Sequence, residues 1–270
     1  MSSNISAVVL TIGESTFDEC IDRLQNQTLP IDDIIIVKDN FVLHEAYNQG
    51  IKQVKTEFFL QCDADMLIDP DCVEVLYSAI EKDTGVSIGY LDDDILGTVQ
   101  AIKLFRTSCL QEQPFEDGVT TDTNAISRIR NQGLKIAFAR RNEKRFGHDI
   151  DVLARHCPNY LNHTYTFGRF MRLGAQVRSR YCFDEYRACL KNLKQSKHPM
   201  ADVALTAFCH GLFDTAQTGD QTYFDFTVET QQSEFLKNFQ DSENNSERIF
   251  SVTKIDDLDM TAELEKFHSR

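Results

Sequence analysis

The sequence has 270 residues, with 28 Lys or Arg and 42 Asp or Glu, so its formal net charge is −14. This length predicts one large domain or two small ones, with enough apolar residues (41%) to form a buried core. The acidity argues against general nucleic-acid binding, and no apolar run reaches the roughly 18 residues that a membrane span requires.

The first 80 residues alternate between short apolar runs and helical periodicities. Three runs are too short for helices and predict buried strands: Ala7–Leu10, Ile34–Val37 and Phe58–Leu60. Apolar residues at helical spacing lie between them, over 17–24 and 43–54, and another helix is predicted after Asp69-Pro70-Asp71. This alternation predicts right-handed βαβ units and an open, mostly parallel α/β sheet flanked by helices. Ligands of such a sheet lie at the carboxyl ends of its strands.

The remaining chain predicts further strands and then a helical region. Residues 85–109 and 134–139 have strand patterns, residues 122–132 are predicted to be helical, and residues 150–210 are mainly helical. We therefore divide the chain into a core at 1–149 and a mainly helical extension at 150–270. The last part, 212–270, is an acidic tail with 5 basic and 13 acidic side chains.

Asp63 and Asp65 form a D-x-D triplet that directly follows a predicted buried strand. The same spacing occurs at four other places in the chain, but only this pair closes such a strand. Two neighbouring carboxylates repel each other unless a cation neutralises them, and oxygen ligands suit Mg²⁺ or Mn²⁺. The alternative interpretation is a solvated strand end that caps the next helix.

Two further segments lie at predicted strand ends. Asp39 follows the second strand, where it either contacts a nucleotide or begins a turn. The loop Thr11-Ile12-Gly13-Glu14 follows the first strand, and its small residues permit a ligand to approach the backbone. The loop is not G-x-G-x-x-G and no Walker lysine is present, which argues against standard dinucleotide and P-loop sites.

Taken in order, these segments resemble the inverting nucleotide-sugar glycosyltransferases of the GT-A fold, in the large group called family 2. The likeness includes Gln27-Thr28-Leu29-Pro30, Ala46-Tyr47-Asn48-Gln49-Gly50-Ile51 and the stretch from Glu57 to Asp65. It is strong over residues 6–76, weaker over 115–149 and absent afterwards. The resemblance thus implies that residues 1–149 form the nucleotide-sugar-binding and catalytic core, and we expect residues 150–270 to serve acceptor binding or oligomer contacts. The order and spacing of the segments are more specific than the D-x-D triplet alone.

The resemblance implies a role for each matching residue. It places Asp63 near the donor ribose and the metal, and it makes Asp65 a direct metal ligand. Asp39 corresponds to the residue that contacts the base, although the usual Asp-Asp-Gly-Ser is Lys38-Asp39-Asn40-Phe41 here. This departure leaves the nucleotide preference open. Other residues that the resemblance places at the nucleotide-sugar are Thr11, Gly13, Glu14 and Asn48.

The resemblance also covers the predicted acceptor side. Asp122, with Arg128 six positions later, corresponds to the general base that deprotonates the acceptor hydroxyl. Asp117 is the alternative, because Glu116-Asp117 preserves an acidic pair that the family often has. His148 corresponds to a third metal ligand.

The resemblance thus implies a glycosyltransferase that uses Mn²⁺ or Mg²⁺ and transfers one sugar with inversion. The expected donor is a UDP-sugar, and the expected acceptor is a hydroxyl of a glycan or a lipid-linked molecule. A sugar nucleotidyltransferase is one alternative, although its catalytic basic residue is missing from the loop after the first strand. A GT-A module that only binds or acts as a scaffold is another alternative.

The expected location is the cytoplasm. Met1–Asn4 does not resemble a signal peptide, and the eight cysteines form no C-x-x-C pair, so we expect reduced thiols. Residues 167–173 combine aromatic and basic side chains. They predict either a buried amphipathic helix or peripheral contact with the inner face of a membrane.

Overall fold

The described residues form a mixed β-sheet with helices on both faces. The computed structural model describes residues 4–118, 120–141, 151–180 and 183–213. The strands are β1 (Ile5–Thr11), β2 (Asp33–Lys38), β3 (Phe58–Asp63), β4 (Met66–Ile68), β5 (Thr84–Asp93), β6 (Gly97–Arg106), β7 (Lys135–Phe138) and β8 (Val152–His156). The helices are α1 (Phe17–Gln25), α2 (Leu43–Ile51), α3 (Cys72–Ser78), α4 (Thr107–Glu112), α5 (Thr121–Asn131), α6 (His163–Arg180), α7 (Phe183–Gln195) and α8 (Ala201–Phe213).

The sheet has the strand order β2-β1-β3-β6-β5-β8-β4, and β7 pairs with β5 beside this path. Strands β2, β1 and β3 are parallel, as the βαβ pattern predicts. Strand β6 is antiparallel to both β3 and β5, and β4 is antiparallel to β8. The predicted α/β sheet flanked by helices is confirmed, and its antiparallel strands bring later parts of the chain beside the end of β3.

The core lies on both faces of the sheet because successive side chains of a strand point to opposite sides. Ile5, Ala7 and Val9 of β1 pack in the cluster that includes α1 and α3. Val8 packs on the other face with α2, α4 and α5. Helix α2 lies very close to β1, since a Cβ at Gly50 would be 2.4 Å from a methyl of Val8. Burial of both faces explains the continuous apolar runs in the sequence.

The chain beyond residue 149 contributes both a strand and a helical region. Strand β8 pairs with β5 and β4, so the sheet continues past the boundary predicted for the core. The predicted helical region is confirmed by α6, α7 and α8. Glycines permit close packing of α6 on α8, because a Cβ at Gly211 would be 1.8 Å from the Met171 carbonyl oxygen. Most of the acidic tail predicted at 212–270 lies outside the described residues.

Among the described helices, none has both the length and the apolar character needed to cross a membrane. The segment at 167–173 lies within α6, where Phe167, Phe170 and Met171 are buried. This agrees with the interpretation of the segment as a buried amphipathic helix.

Candidate active site

The parallel strands β1, β2 and β3 end at the same edge of the sheet, and the D-x-D segment is tied to the loop after β1. The backbone N–H of Ala64 donates to the Leu10 carbonyl at 2.9 Å, and the Thr16 hydroxyl donates to the Ala64 carbonyl at 2.9 Å. The carboxyl edge of the sheet therefore holds the D-x-D segment in a fixed position relative to this loop.

Hydrogen bonds within the loop after β1 hold it in a turn. The Glu14 carboxylate accepts hydrogen bonds from the Thr11 hydroxyl at 2.7 Å and from the Ile12 N–H at 2.9 Å. Gly13 has a φ of +98°, a conformation that favours glycine. These contacts make a defined turn at the strand end, and the nucleotide contacts of Thr11, Gly13 and Glu14 stay predictions.

Asp39 and Asn48 occupy different environments. Asp39 lies exposed after β2 with a φ of +56°, and its N–H donates to the Thr11 carbonyl at 3.0 Å. The Asn48 amide donates to the Phe115 carbonyl at 2.8 Å and accepts from the Phe115 N–H at 3.0 Å. The Asn48 side chain thus fixes α2 to the segment before α5, and direct contacts of both residues with a nucleotide stay predictions.

Asp63 is the last residue of β3, and its side chain contacts the buried Tyr47. The hydroxyl of Tyr47, on α2, donates to Asp63 Oδ1. Burial and the charge of Asp65 raise the pKa of Asp63 above its ordinary value, while the Tyr47 hydrogen bond opposes the shift. The expected repulsion between the two carboxylates of the triplet is therefore present in the fold.

Asp65 is buried and lies against a histidine that the sequence analysis does not select. His156 Nε2 is 3.2 Å from Asp65 Oδ2, while Asp65 Oδ1 is buried without a hydrogen-bond partner among the described residues. Burial opposes ionisation, but the charge and hydrogen bond of His156 and the charge of Arg169 lower the pKa of Asp65. Asp65 is thus a buried carboxylate with one oxygen that no described residue contacts through a hydrogen bond.

The pairing of β4 with β8 brings His156 to this position. Met66 and His156 are register partners, and the Cys157 N–H donates to the Asp65 carbonyl at 2.7 Å. The only local signal in the sequence is a short apolar run, Val152-Leu153-Ala154, that ends near a histidine. His148, the predicted third metal ligand, lies outside the described residues.

The donor atoms at Asp65 and His156 fit a divalent cation. The described part of the chain has no group of three or more His, Cys, Asp or Glu side chains placed to hold a metal. A buried carboxylate oxygen without a partner, beside an imidazole nitrogen, nevertheless matches the ligand types that Mn²⁺ and Mg²⁺ accept. These two side chains would supply an oxygen and a nitrogen ligand to such a cation.

Asp122, the predicted base, lies in the first turn of α5 and is paired with a buried lysine of β6. Lys103 Nζ is 2.8 Å from Asp122 Oδ2, and the Asp122 side chain is 38% exposed. Burial would raise the pKa of Asp122, but the charges of Lys103 and Arg172 hold it well below its usual range. The charge of Lys103 also acts on Asp63. One lysine therefore lies close to both the predicted base and the D-x-D segment, a connection that the sequence analysis missed.

Asp117, the alternative base, is in a more exposed position. Its Oδ1 is 4.0 Å from His44 Nδ1, and its side chain is 53% exposed. Arg128, whose spacing selects Asp122, bonds to Glu116 at 3.0 Å and to the Pro114 carbonyl at 2.7 Å. Arg128 thus holds the segment that precedes α5.

Sequence comparison finds one family model that covers part of this region. Residues 39–130 match the model described as Glycosyl transferase family 2. The matched residues include the D-x-D segment and Asp122. A search of curated protein sequences gives no match.

Structure comparison shows the fold. The chain is similar to a mannosyltransferase from Pyrobaculum calidifontis in complex with GDP-Man and Mn²⁺, at 13% identity, with 95% of this chain and 87% of that chain covered and a TM-score of 0.51. It is also similar to glucosyl-3-phosphoglycerate synthase from Mycobacterium tuberculosis, at 13% identity and a TM-score of 0.48, with 63% of this chain and 78% of that chain covered. A nucleotidyl transferase from Methanothermobacter thermautotroptrophicus has a lower TM-score of 0.39 at 14% identity, with 51% of this chain and 88% of that chain covered. At such identities the likeness to the mannosyltransferase shows a shared fold.

Proposed function

We propose that this chain, a family 2-like glycosyltransferase of the GT-A fold, transfers a single sugar with inversion. The proposed donor is a nucleotide-sugar, with UDP as the expected nucleotide, and the acceptor is a hydroxyl of a glycan or lipid-linked molecule. The observation that carries this proposal is the pair formed by Asp65 and His156, in which one Asp65 oxygen has no hydrogen-bond partner among the described residues.

The donor side of the proposal depends on Asp65, His156 and Asp63. Asp65 and His156 hold Mn²⁺ or Mg²⁺, and Asp63 faces the donor ribose. A cation bound there offsets the charge of the donor diphosphate and stabilises the charge that develops on the leaving group. His156 thus takes the ligand role that the resemblance assigns to His148, because β8 brings it directly to Asp65.

The acceptor side depends on Asp122. Its carboxylate accepts the proton of the acceptor hydroxyl as that oxygen attacks the anomeric carbon from the face opposite the leaving diphosphate. Lys103 supports this role because it keeps Asp122 ionised and fixes one of its oxygens at 2.8 Å. The side chain remains partly exposed, so an acceptor has access to it.

A ligand-stability experiment tests the proposed function. The melting temperature is measured with UDP-, GDP-, CMP- and dTDP-sugars, each with and without Mn²⁺ or Mg²⁺. One nucleotide-sugar is expected to stabilise the protein only with metal, by about 2.7 kcal/mol at 100 times its dissociation constant. Asp65→Asn is expected to abolish this effect, and Asp92→Asn, at an exposed carboxylate of β5, is the matched control.

The outcomes separate the alternatives. A folded protein that no nucleotide-sugar stabilises would favour a scaffold module over an enzyme. Release of diphosphate from a nucleoside triphosphate and a sugar phosphate would identify a nucleotidyltransferase. Comparison of His156→Ala with His148→Ala then decides which histidine binds the metal, and we expect only His156→Ala to remove the metal-dependent stabilisation.

A further inference from the structure

Asp93 is a fully buried carboxylate that no part of the proposed reaction uses directly. It ends β5, and its side chain has no exposed surface. Its Oδ1 accepts hydrogen bonds from the backbone N–H groups of Ile95 at 2.9 Å and Leu96 at 2.8 Å. The turn between β5 and β6 therefore fixes the orientation of this carboxylate.

The other oxygen of Asp93 faces the histidine beside Asp65. Asp93 Oδ2 is 2.7 Å from His156 Nδ1, and it accepts a hydrogen bond from the Tyr160 hydroxyl at 2.5 Å. Arg169 Nη2 lies 3.4 Å from the same oxygen. The two oxygens thus have separate partners, since one is held by the turn and the other is directed at the imidazole.

The contacts at Nδ1 indicate which ring nitrogen carries the proton. An ionised carboxylate only accepts and a guanidinium only donates, so Asp93 requires a proton on Nδ1 whereas Arg169, 3.2 Å away, would require a lone pair there. The Asp93 contact is the shorter one, and Arg169 has Asp93 itself as another acceptor. Asp65 Oδ2 also only accepts, but it lies 3.2 Å from Nε2, farther than Asp93 Oδ2 lies from Nδ1. In the neutral ring, Nδ1–H donating to Asp93 is therefore the consistent arrangement.

We propose that Asp93 is a positioning residue that holds His156 with its proton on Nδ1, so that the Nε2 lone pair is directed to a divalent cation shared with Asp65. This inference rests on the proposed function, because it assumes the metal site at Asp65 and His156. Outer carboxylates of this kind orient metal-binding histidines and raise their basicity. The turn between β5 and β6 thereby becomes part of the metal site although it contributes no ligand.

Metal affinity tests the proposal without an activity assay. Mn²⁺ binding is titrated by electron paramagnetic resonance of the free ion for wild type, Asp93→Asn, Tyr160→Phe and His156→Ala. Asp93→Asn is expected to weaken Mn²⁺ binding by about 10–100-fold. Tyr160→Phe removes another hydrogen bond to the same Asp93 oxygen but leaves the histidine contact, so its affinity is expected to stay within about threefold of wild type.

The His156→Ala variant separates the two levels of the argument. If His156→Ala loses Mn²⁺ binding and a folded Asp93→Asn does not, the inference about Asp93 is overturned while the metal site stands. If wild type fails to bind Mn²⁺, or His156→Ala binds it normally, the metal site itself is wrong and the inference fails with it.

A measurement on the unaltered chain covers the case in which Asp93→Asn does not fold. Long-range ¹H–¹⁵N spectra of the metal-free protein, at a pH where the His156 ring is neutral, report which nitrogen carries the proton. We expect the proton on Nδ1, with the His156 signal assigned by comparison with His156→Gln. A proton on Nε2 would overturn the proposal.

Discussion

The Asp122 carboxylate forms an ion pair with Lys103, and this contact sets the pH range over which Asp122 can act as a base. The Lys103 side chain is only 6% exposed, whereas the Asp122 side chain is 38% exposed, so solvent screens part of this interaction. Because the folded-state pKa of Asp122 lies below its usual range, ionisation of this carboxylate stabilises the fold above the unfolded pKa. That contribution is lost as the pH falls through the lowered folded-state pKa.

Lys103→Met is expected to change the pH profile of catalysis. Without the ammonium group, the pKa of Asp122 rises, so the acid limb of kcat/KM moves to higher pH than in the wild type. The profile is measured with saturating metal, and Lys135→Met, which removes an exposed lysine paired with Glu81 and Asp83, is the control. An unchanged acid limb in Lys103→Met would argue against Asp122 as the base.

At the scale of elements, Arg141 joins the loop before α3 to the start of β8. Its guanidinium bonds to Asp71 through two nitrogens, both at 2.7 Å, and to Asp69 at 2.7 Å. It also bonds to Asp151 at 3.0 Å and donates to the Val152 carbonyl. The loop before α3 is thereby tied to the start of β8, the strand that carries His156.

Arg141→Lys is expected to lower the free energy of unfolding by about 1–3 kcal/mol. A lysine keeps the charge but cannot reproduce the planar set of donors that contacts three carboxylates. The change is measured by urea denaturation. Arg155→Lys is the control, because Arg155 is 62% exposed and pairs with Asp94 at the surface; its effect should be within about 0.5 kcal/mol. Equal effects of the two substitutions would contradict this account of Arg141.

At the scale of the whole molecule, the sheet depends on a strand that lies late in the chain. Strand β8 is placed between β5 and β4 and pairs with both. A chain that stops before β8 would leave both partners with unpaired backbone groups, and it would also lose His156. The part of the chain that folds as a unit must therefore include β8.

Two fragments test this requirement. A fragment of residues 1–149 is expected to lack cooperative thermal unfolding, because it loses β8 and the helices α6 to α8. A fragment of residues 1–224, which is the compact unit that contains all the described elements, should unfold cooperatively near the temperature of the full chain. The measurement is circular dichroism during heating. Cooperative unfolding of the 1–149 fragment would show that the core is complete without β8.

The sequence by itself determines the elements whose signals are local. The apolar runs of β1, β2 and β3 and the helical periodicities between them depend on neighbouring residues, so the first half of the sheet is predictable. The position of Asp63 and Asp65 at a strand end, where ligands of an α/β sheet lie, follows from the same pattern. Asp122 is predictable only through the family resemblance, since an acidic first turn of a helix is common.

Only the tertiary structure decides which distant residues meet at the site. His156 reaches Asp65 because β8 pairs antiparallel with β4, and Lys103 reaches Asp122 because β6 lies between β3 and β5. Asp65 and His156 are far apart in the sequence, and Lys103 and Asp122 lie on different elements. No local periodicity encodes the partner of a strand. Strand order instead results from burying both faces of the sheet and pairing its backbone groups, which are properties of the whole chain.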